Sequence, residues 1–316
     1  NTDGVQLGAP AGDPFTGGSR YVPGQASAQA GVPDPFTGGS RYVPQGAAYD
    51  PPSEYVVNVQ GNTAGIIKKL AEFNATVDVH RLSDDQMQAL QKLDFSGPPQ
   101  VAEDVYSALL VSALGWPKDK RFPCLDLLRF VAATPLPYRV GNRPFVESMA
   151  EATGFFDLLG SESPGGLTKS EEVNLMMGTR AFANAFATTQ GADHLWRSRK
   201  KVLKALDGSW IKATNPNLLT ALSTLYLNLA IAATKKGDDD EGLNILSAAS
   251  RFLSCTSNAD SQLRLVNVFG VLSHKFQLCK DSARVLGDET IVILGFQGKS
   301  DAVRRAAKDV GTFLTS

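Results

Sequence analysis

Residues 215–233 read NPNLLTALSTLYLNLAIAA, and this stretch indicates the fold class of the chain. Pro216 stands at the first helical position after Asn215, where the fixed φ of proline suits the start of a helix. Apolar residues then recur at the i, i+3 and i+4 spacing of a helix and not in the alternation of a strand. The stretch therefore predicts a long α-helix.

The same period recurs on both sides of this helix. Capping boxes begin at Ser83 and Thr168, which are followed by Gln86 and Glu171 at the third helical position, and Asn62 is a further candidate cap. Other periodic segments lie at about residues 192–206, 239–253, 259–273 and 299–314. Roughly ten or more helices joined by short loops predict an all-α fold and favour an α-solenoid over a four-helix bundle.

Two segments depart from the helical period. Tyr55–Gln60 is predicted as a short strand or an extended entry to the helices, and the apolar run Ile291–Leu294 also has strand character. The second run leads into Gly298-Lys299-Ser300, which resembles the end of a phosphate-binding loop. Ile293 stands where the first glycine of that motif belongs, and too few residues follow for the parallel sheet that such loops open. We therefore do not expect nucleotide binding.

Residues 1–50 differ in composition from the rest of the chain. They hold 10 Gly and 6 Pro and neither Lys nor Glu. Such a segment cannot bury enough apolar surface to offset the entropy lost on ordering. We therefore predict a flexible, disordered linker over residues 1–54 and a helical domain over residues 55–316.

The linker contains an internal repeat. Residues 13–23 read DPFTGGSRYVP, and residues 34–44 repeat these eleven letters unchanged. Two copies are too few and too polar for a solenoid of their own. The repeat is therefore either a duplicated piece of linker or a short linear motif. The candidate contacts of such a motif are the aromatic residues Phe15, Phe36, Tyr21 and Tyr42 and the arginines Arg20 and Arg41.

Charge and cysteine content restrict the function classes. The chain has 31 basic and 32 acidic residues, a net charge of -1, so its surface as a whole is not a polycation for nucleic acid or an anionic membrane. No apolar run reaches the ~18 residues of a membrane span. The three widely spaced cysteines favour a reducing compartment. Because the chain begins at Asn1 and not at Met, we expect a fragment of a longer protein.

Recognisable catalytic and metal-binding motifs are absent from the sequence. Nucleophilic catalysis commonly pairs Ser or Cys with histidine, and only His80, His194 and His274 are available, with no GxSxG motif. Neither HExxH nor a paired CxxC occurs. We therefore predict no catalytic residue, no metal site and no cofactor. A hydrolase without a recognisable motif is the competing class.

Several polar residues interrupt apolar helical runs. Arg180 and Asn184 lie four residues apart and share one helical stripe, and Arg129, Arg264 and Asn228 stand among apolar neighbours. In a solenoid, equivalent helices align along one wall and would bring such residues together. Arginine offers a planar fork for carboxylates, and asparagine offers both a donor and an acceptor. These five residues therefore predict a site for an extended, acidic peptide.

A structural role is the alternative for each of these residues. Asp126 can pair with Arg129 at i+3, and Asp260 can pair with Arg264 at i+4. An asparagine can hydrogen-bond to a neighbouring helix. Taken singly, each residue favours the structural role, and only their recurrence in successive helices favours a binding site.

A set of motifs along the helical part resembles a known family. The motifs are, in order, Gly115-Trp116-Pro117, Phe122–Arg129 (FPCLDLLR), Thr179–Asn184 (TRAFAN), Ala221–Asn228 (ALSTLYLN) and Gln262–Leu265 (QLRL). Their order and spacing resemble the PUL domain, which closes the phospholipase A2-activating-protein family of ubiquitin-pathway adaptors. The resemblance covers nearly all of residues 55–316, and DPFTGGSRYVP also looks like a motif that precedes the domain in this family.

The resemblance implies an armadillo-like α-solenoid whose groove binds the acidic, aromatic-containing C-terminal tail of the valosin-containing AAA+ unfoldase. Arg129 and Arg264 correspond by motif to basic groove residues of the family, whereas Arg180, Asn184 and Asn228 extend the groove only by the stripe argument. The implied role is an adaptor in ubiquitin-dependent proteasomal degradation and ubiquitin homeostasis, in the cytoplasm and nucleus. Ubiquitin itself would bind to upstream domains outside this chain. A generic armadillo-type scaffold for another peptide is the alternative.

Overall fold

The computed structural model describes residues 49–94, 102–135, 139–140, 143–160, 166–211 and 213–316. Helices dominate these residues, so the predicted all-α fold is confirmed. Residues 1–48 lie outside the described part. They include most of the linker that was predicted to be disordered and both copies of the repeat.

Fifteen α-helices and one two-stranded hairpin lie in the described part. The strands β1 (Arg139–Val140) and β2 (Arg143–Pro144) pair antiparallel. The helices are α1 Thr63–Asn74, α2 Asp84–Gln91, α3 Glu103–Gly115, α4 Phe122–Val131, α5 Phe145–Thr153, α6 Phe155–Gly160, α7 Lys169–Ala185, α8 Thr189–Arg197, α9 Arg199–Leu206, α10 Pro216–Lys236, α11 Asp239–Cys255, α12 Ala259–Lys275, α13 Gln277–Leu286, α14 Asp288–Gln297 and α15 Asp301–Thr315. Short 3₁₀ turns lie at Lys118–Lys120 and Ser209–Ile211.

The helices stack in two layers. Helices α4, α7, α10, α12 and α15, here called the front layer, pack one on the next in chain order. Helices α3, α5, α11, α13 and α14 form a second layer that packs against them. Each front-layer helix thus packs on the next one in the stack and on helices of the second layer, which is the arrangement of an α-solenoid.

Local signals set the helix ends as the sequence predicted. Ser83 and Thr168 form capping boxes at the starts of α2 and α7. Asn62 caps α1 by accepting a hydrogen bond from the Gly65 N–H at 3.0 Å. Asn215 caps α10, with Pro216 as its first residue. These side chains satisfy backbone N–H groups that the first helical turn leaves unpaired.

One prediction about local structure is wrong. The run Ile291–Leu294, which has strand character in the sequence, lies within α14. Ile291 and Leu294 are buried while Val292 and Ile293 are exposed, so the run buries every third residue and not every second one. Packing of that buried face against α15 outweighs the strand preference of β-branched side chains.

Helix α10 lies at the centre of the core. By length and composition alone it is apolar enough to cross a membrane, but 78% of its most apolar window is buried inside the protein. Its apolar residues pack against α7 on one side and α12 on the other. Helix α10 therefore has the environment of a core helix in a solenoid.

Candidate peptide-binding site

Residues 49–61, here called the arm, lie extended across the front layer before α1 begins. The arm runs against the order of the helices. Tyr49 lies beside α12 and α15, Val56 contacts α10, Asn58 contacts α7 and Gln60 contacts α4. The second half of the arm was predicted as a short strand or an extended entry, and it takes the extended form.

Two buried asparagines hold the arm by its backbone. Asn228 of α10 accepts a hydrogen bond from the Val56 N–H and donates one to the Val56 carbonyl, both at 2.8 Å. Asn184 of α7 makes the same two hydrogen bonds with Asn58, two residues further along the arm. It accepts from the Asn58 N–H at 2.6 Å and donates to the Asn58 carbonyl at 2.8 Å. Each amide also donates to a front-layer carbonyl, at 3.1 and 2.8 Å respectively. Both donors of each side-chain amide are therefore used.

Arg129 of α4 makes the third contact in this series. Its Nη1 donates to the Asn58 carbonyl at 2.7 Å, and its Nη2 donates to the Gln60 carbonyl at 2.9 Å. Asp126 accepts from Nε, so the predicted pairing at i+3 is confirmed. Because both charged side chains are buried, each compensates the desolvation of the other.

Arg129, Asn184 and Asn228, here called the ladder, bind an extended chain at every second residue. Successive contacts fall on residues 56, 58 and 60, which is the repeat of a chain in extended conformation. The ladder binds mainly backbone C=O groups, which every residue carries, and backbone N–H groups, which every residue except proline carries. Its chemistry therefore selects conformation more than sequence. No group of three or more His, Cys, Asp or Glu residues in the described part is placed to hold a metal ion.

Gly61 ends the arm in close contact with α4. A Cβ at this position would lie 2.7 Å from Nη2 of Arg129 and 2.9 Å from the ring of Phe130. The Arg129 guanidinium in turn lies over the Phe130 ring, 4.0 Å from its centroid. Only glycine leaves room for this approach without displacing one of the two side chains.

Two tyrosines of the arm pack through their rings. The Tyr55 ring lies 5.0 Å from that of Phe186, and Lys235 Nζ lies 4.1 Å from the Tyr55 centroid. The Tyr49 ring lies 5.7 Å from that of Phe313, and its buried hydroxyl has no hydrogen-bond partner in the described part. Burial raises the pKa of both tyrosines, and nearby carboxylates raise it further. Both rings are therefore held in the neutral form.

Comparison with known families agrees with this architecture. The model of the PUL domain matches residues 51–309, which include most of the arm and nearly all of the helices. The chain belongs to the PUL domain family. Membership indicates a protein-binding adaptor module and confirms the resemblance seen in the sequence.

A curated relative supports the same assignment. This PUL domain is 32% identical over 295 residues to the phospholipase A-2-activating protein of Xenopus laevis. The match covers 82% of the present chain and 35% of the relative. The chain therefore spans about a third of the length of that protein.

The PUL fold brings the three ladder residues together and places the other two predicted residues on the same layer. Arg180 is half-buried on α7, one turn before Asn184. Arg264 is half-buried on α12, and its Nη1 donates to the backbone carbonyl of Asp260 at 2.9 Å. Binding of a partner peptide by these five residues stays a prediction.

The sequence did not reveal that the chain itself fills the ladder. The predicted domain boundary at residue 55 falls inside the arm, and the ring contacts of Phe186 and Lys235 were missed. One signal was present. Tyr55–Gln60 is a strand-like segment in a chain with almost no other strands, so its backbone groups needed side-chain partners elsewhere.

Proposed function

We propose that this PUL domain is a non-enzymatic adaptor that binds the C-terminal tail of the valosin-containing AAA+ unfoldase in ubiquitin-dependent protein degradation. The docked arm supports the proposal, because the front layer holds this extended chain through backbone contacts at every second residue. A helical layer that binds one extended segment in this way is suited to binding a second.

The partner tail must either displace the arm or bind beside it. The hydrogen-bond donors of the ladder already bind the arm backbone, the Asp126 carboxylate and carbonyls of the front layer. Displacement would break several arm hydrogen bonds, each contributing about 0.5–1.5 kcal/mol, and would expose buried polar side chains. We therefore propose that the tail binds beside the docked arm.

Arg180 and Arg264 are the predicted contacts that an acidic tail can meet in this position. Arg180 precedes Asn184 on α7, and Arg264 precedes Gly270, where Tyr49 approaches α12. Both arginines thus lie on the N-terminal side of the arm along their helices. Because α10 lies between α7 and α12, two interhelix spacings of about 8–10 Å each separate these helices. About six residues of an extended peptide span that distance. The arginine fork supplies bidentate contacts to tail carboxylates.

Titration with the unfoldase's C-terminal peptide tests this function. Arg264→Ala should weaken binding at least roughly tenfold, because a charge-assisted hydrogen bond contributes about 1.5–3 kcal/mol. Arg264→Lys should bind almost as poorly, because lysine lacks the planar fork. Binding should also weaken with added salt, because both arginines are partly exposed.

Arg251→Ala is the matched control for this titration. Arg251 is an exposed arginine of α11, a helix outside the front layer, and it pairs with Asp207 at 2.8 Å. Its loss should leave peptide binding unchanged. Wild-type affinity in both Arg180→Ala and Arg264→Ala would contradict the proposed site, and no binding by the wild-type chain would contradict the partner.

A further inference from the structure

Exposed apolar side chains concentrate at one end of this PUL domain. Of the ten large hydrophobic residues exposed in the described part, six lie between Leu278 and Phe296. Val292, Ile293 and Phe296 of α14, here called the α14 patch, share one face of the helix, and Phe296 is 75% exposed. Contiguous exposed apolar surface of this kind marks a docking site more often than isolated residues do.

Basic side chains of α15 border the α14 patch. Lys308 Nζ lies 5.8 Å from the centroid of the Phe296 ring. Lys308, Arg304 and Arg305 line a surface cavity of about 380 Å³ together with Asp301, which pairs with Arg304. Three cations face two carboxylates at this edge, because Asp309 also interacts with Arg305, so the edge keeps a small positive charge. The surface therefore fits a segment that presents an aromatic ring next to an acidic group.

We infer that the α14 patch is an intramolecular docking site for the DPFTGGSRYVP segment, with residues 34–44 as its nearer occupant. Asp34 stands two residues before Phe36 in this copy, and Asp13 stands before Phe15 in the other. The aromatic ring of Phe36 is chemically suited to the apolar patch, and the Asp34 carboxylate is suited to its basic edge. The two features of the patch thus match two neighbouring residues of the repeat.

The end of the arm brings the repeat within reach of the patch. Tyr49 packs on Phe313 of α15. Lys308, beside Phe296, lies five residues earlier on α15, or about 7.5 Å along the helix axis. Pro44 is separated from Tyr49 by residues 45–48, and a chain of this length spans up to about 16 Å. The segment can therefore reach the patch while the arm stays docked.

The duplication gives the patch two possible occupants. The first copy ends about 26 residues before Tyr49, and a chain of that length is also long enough to reach the patch. Tethering keeps both copies at a high effective concentration near the patch. Because either copy can replace the other, a test must change both.

Methyl NMR of the full chain tests the docking. Ile293 lies in the patch and is 45% exposed, whereas Ile245 is fully buried in the core. In the double variant Phe15→Ala/Phe36→Ala, the Ile293 methyl signal should shift more than that of any other isoleucine, and Ile245 should not move. A synthetic peptide of residues 34–44, added to the double variant, should return Ile293 towards its wild-type position.

Two controls make the result decisive. Ser19→Ala/Ser40→Ala changes both copies without removing an aromatic or acidic group, so it should leave Ile293 unmoved. An Ile293 signal that is identical in the wild type and in Phe15→Ala/Phe36→Ala overturns the proposal. Dilution dissociates a complex of two chains but leaves an intramolecular contact intact. A wild-type Ile293 signal that moves on dilution would therefore assign the patch to a second copy of the chain and would also overturn the proposal.

Discussion

The two ends of the arm are held to the front layer by different interactions. From Val56 to Gln60, buried ladder side chains bind the arm backbone. At Tyr49 the contact is a ring packed on Phe313 and over Gly270, with no hydrogen bond to its hydroxyl in the described part. The ladder end therefore depends on residues of the helices, whereas the Tyr49 end depends on one side chain of the arm itself.

The largest effect is expected at Arg129, where the ladder and the core meet. Arg129→Ala leaves Asp126 as an unpaired buried charge, and breaking a buried ion pair costs about 3–5 kcal/mol. Since 1 kcal/mol corresponds to roughly 2–4 °C in a domain of this size, the melting temperature should fall by roughly 6–20 °C. Thermal denaturation followed by circular dichroism measures this change.

Arg129→Lys distinguishes the contribution of the ion pair to stability from that of the arm contacts. Lysine keeps a positive charge near Asp126, but it cannot donate in a planar fork to both the Asn58 and the Gln60 carbonyls. The lysine variant should therefore melt closer to the wild type than the alanine variant does. If Arg129→Ala itself melted like the wild type, the buried ion pair would not support the fold.

A smaller, local effect is expected at the other end of the arm. Tyr49→Ala removes the half-buried ring and should cost about 1–2 kcal/mol of arm docking, with little change in the helices. Limited proteolysis should then cut faster between residues 49 and 55, while the melting temperature of the domain changes little.

Tyr49→Phe should give the smallest effect of the series. The Tyr49 hydroxyl is buried without a hydrogen bond in the described part, so its removal loses no hydrogen bond and relieves a desolvation cost. The phenylalanine variant should resist proteolysis at least as well as the wild type. Cleavage as fast as in Tyr49→Ala would mean that the hydroxyl, and not the ring, holds this end.

Local features of the chain could be predicted from the sequence, and long-range ones could not. Caps such as Ser83 and Thr168 act within one helical turn, so the sequence displays them directly. The ladder residues were recognisable as polar side chains in apolar helices. Their occupant was not, because Val56 and Asn228 are 172 positions apart and nothing local pairs them. Ile291–Leu294 shows the same limit, since contact with α15 decides its conformation.

Hydrogen exchange at two arm amides measures the ladder most directly. The Val56 and Asn58 N–H groups donate to Asn228 and Asn184, so their protection reports these bonds. Asn174→Ala is the matched control, because Asn174 is a buried asparagine of α7 that donates to Lys118 and not to the arm.

In Asn184→Ala/Asn228→Ala, both amides should exchange at least roughly fivefold faster than in the wild type, since an unmade buried hydrogen bond costs about 1–3 kcal/mol. In Asn174→Ala they should keep their wild-type protection. Unchanged protection of Val56 and Asn58 in the double variant would contradict the role of the ladder in holding the arm.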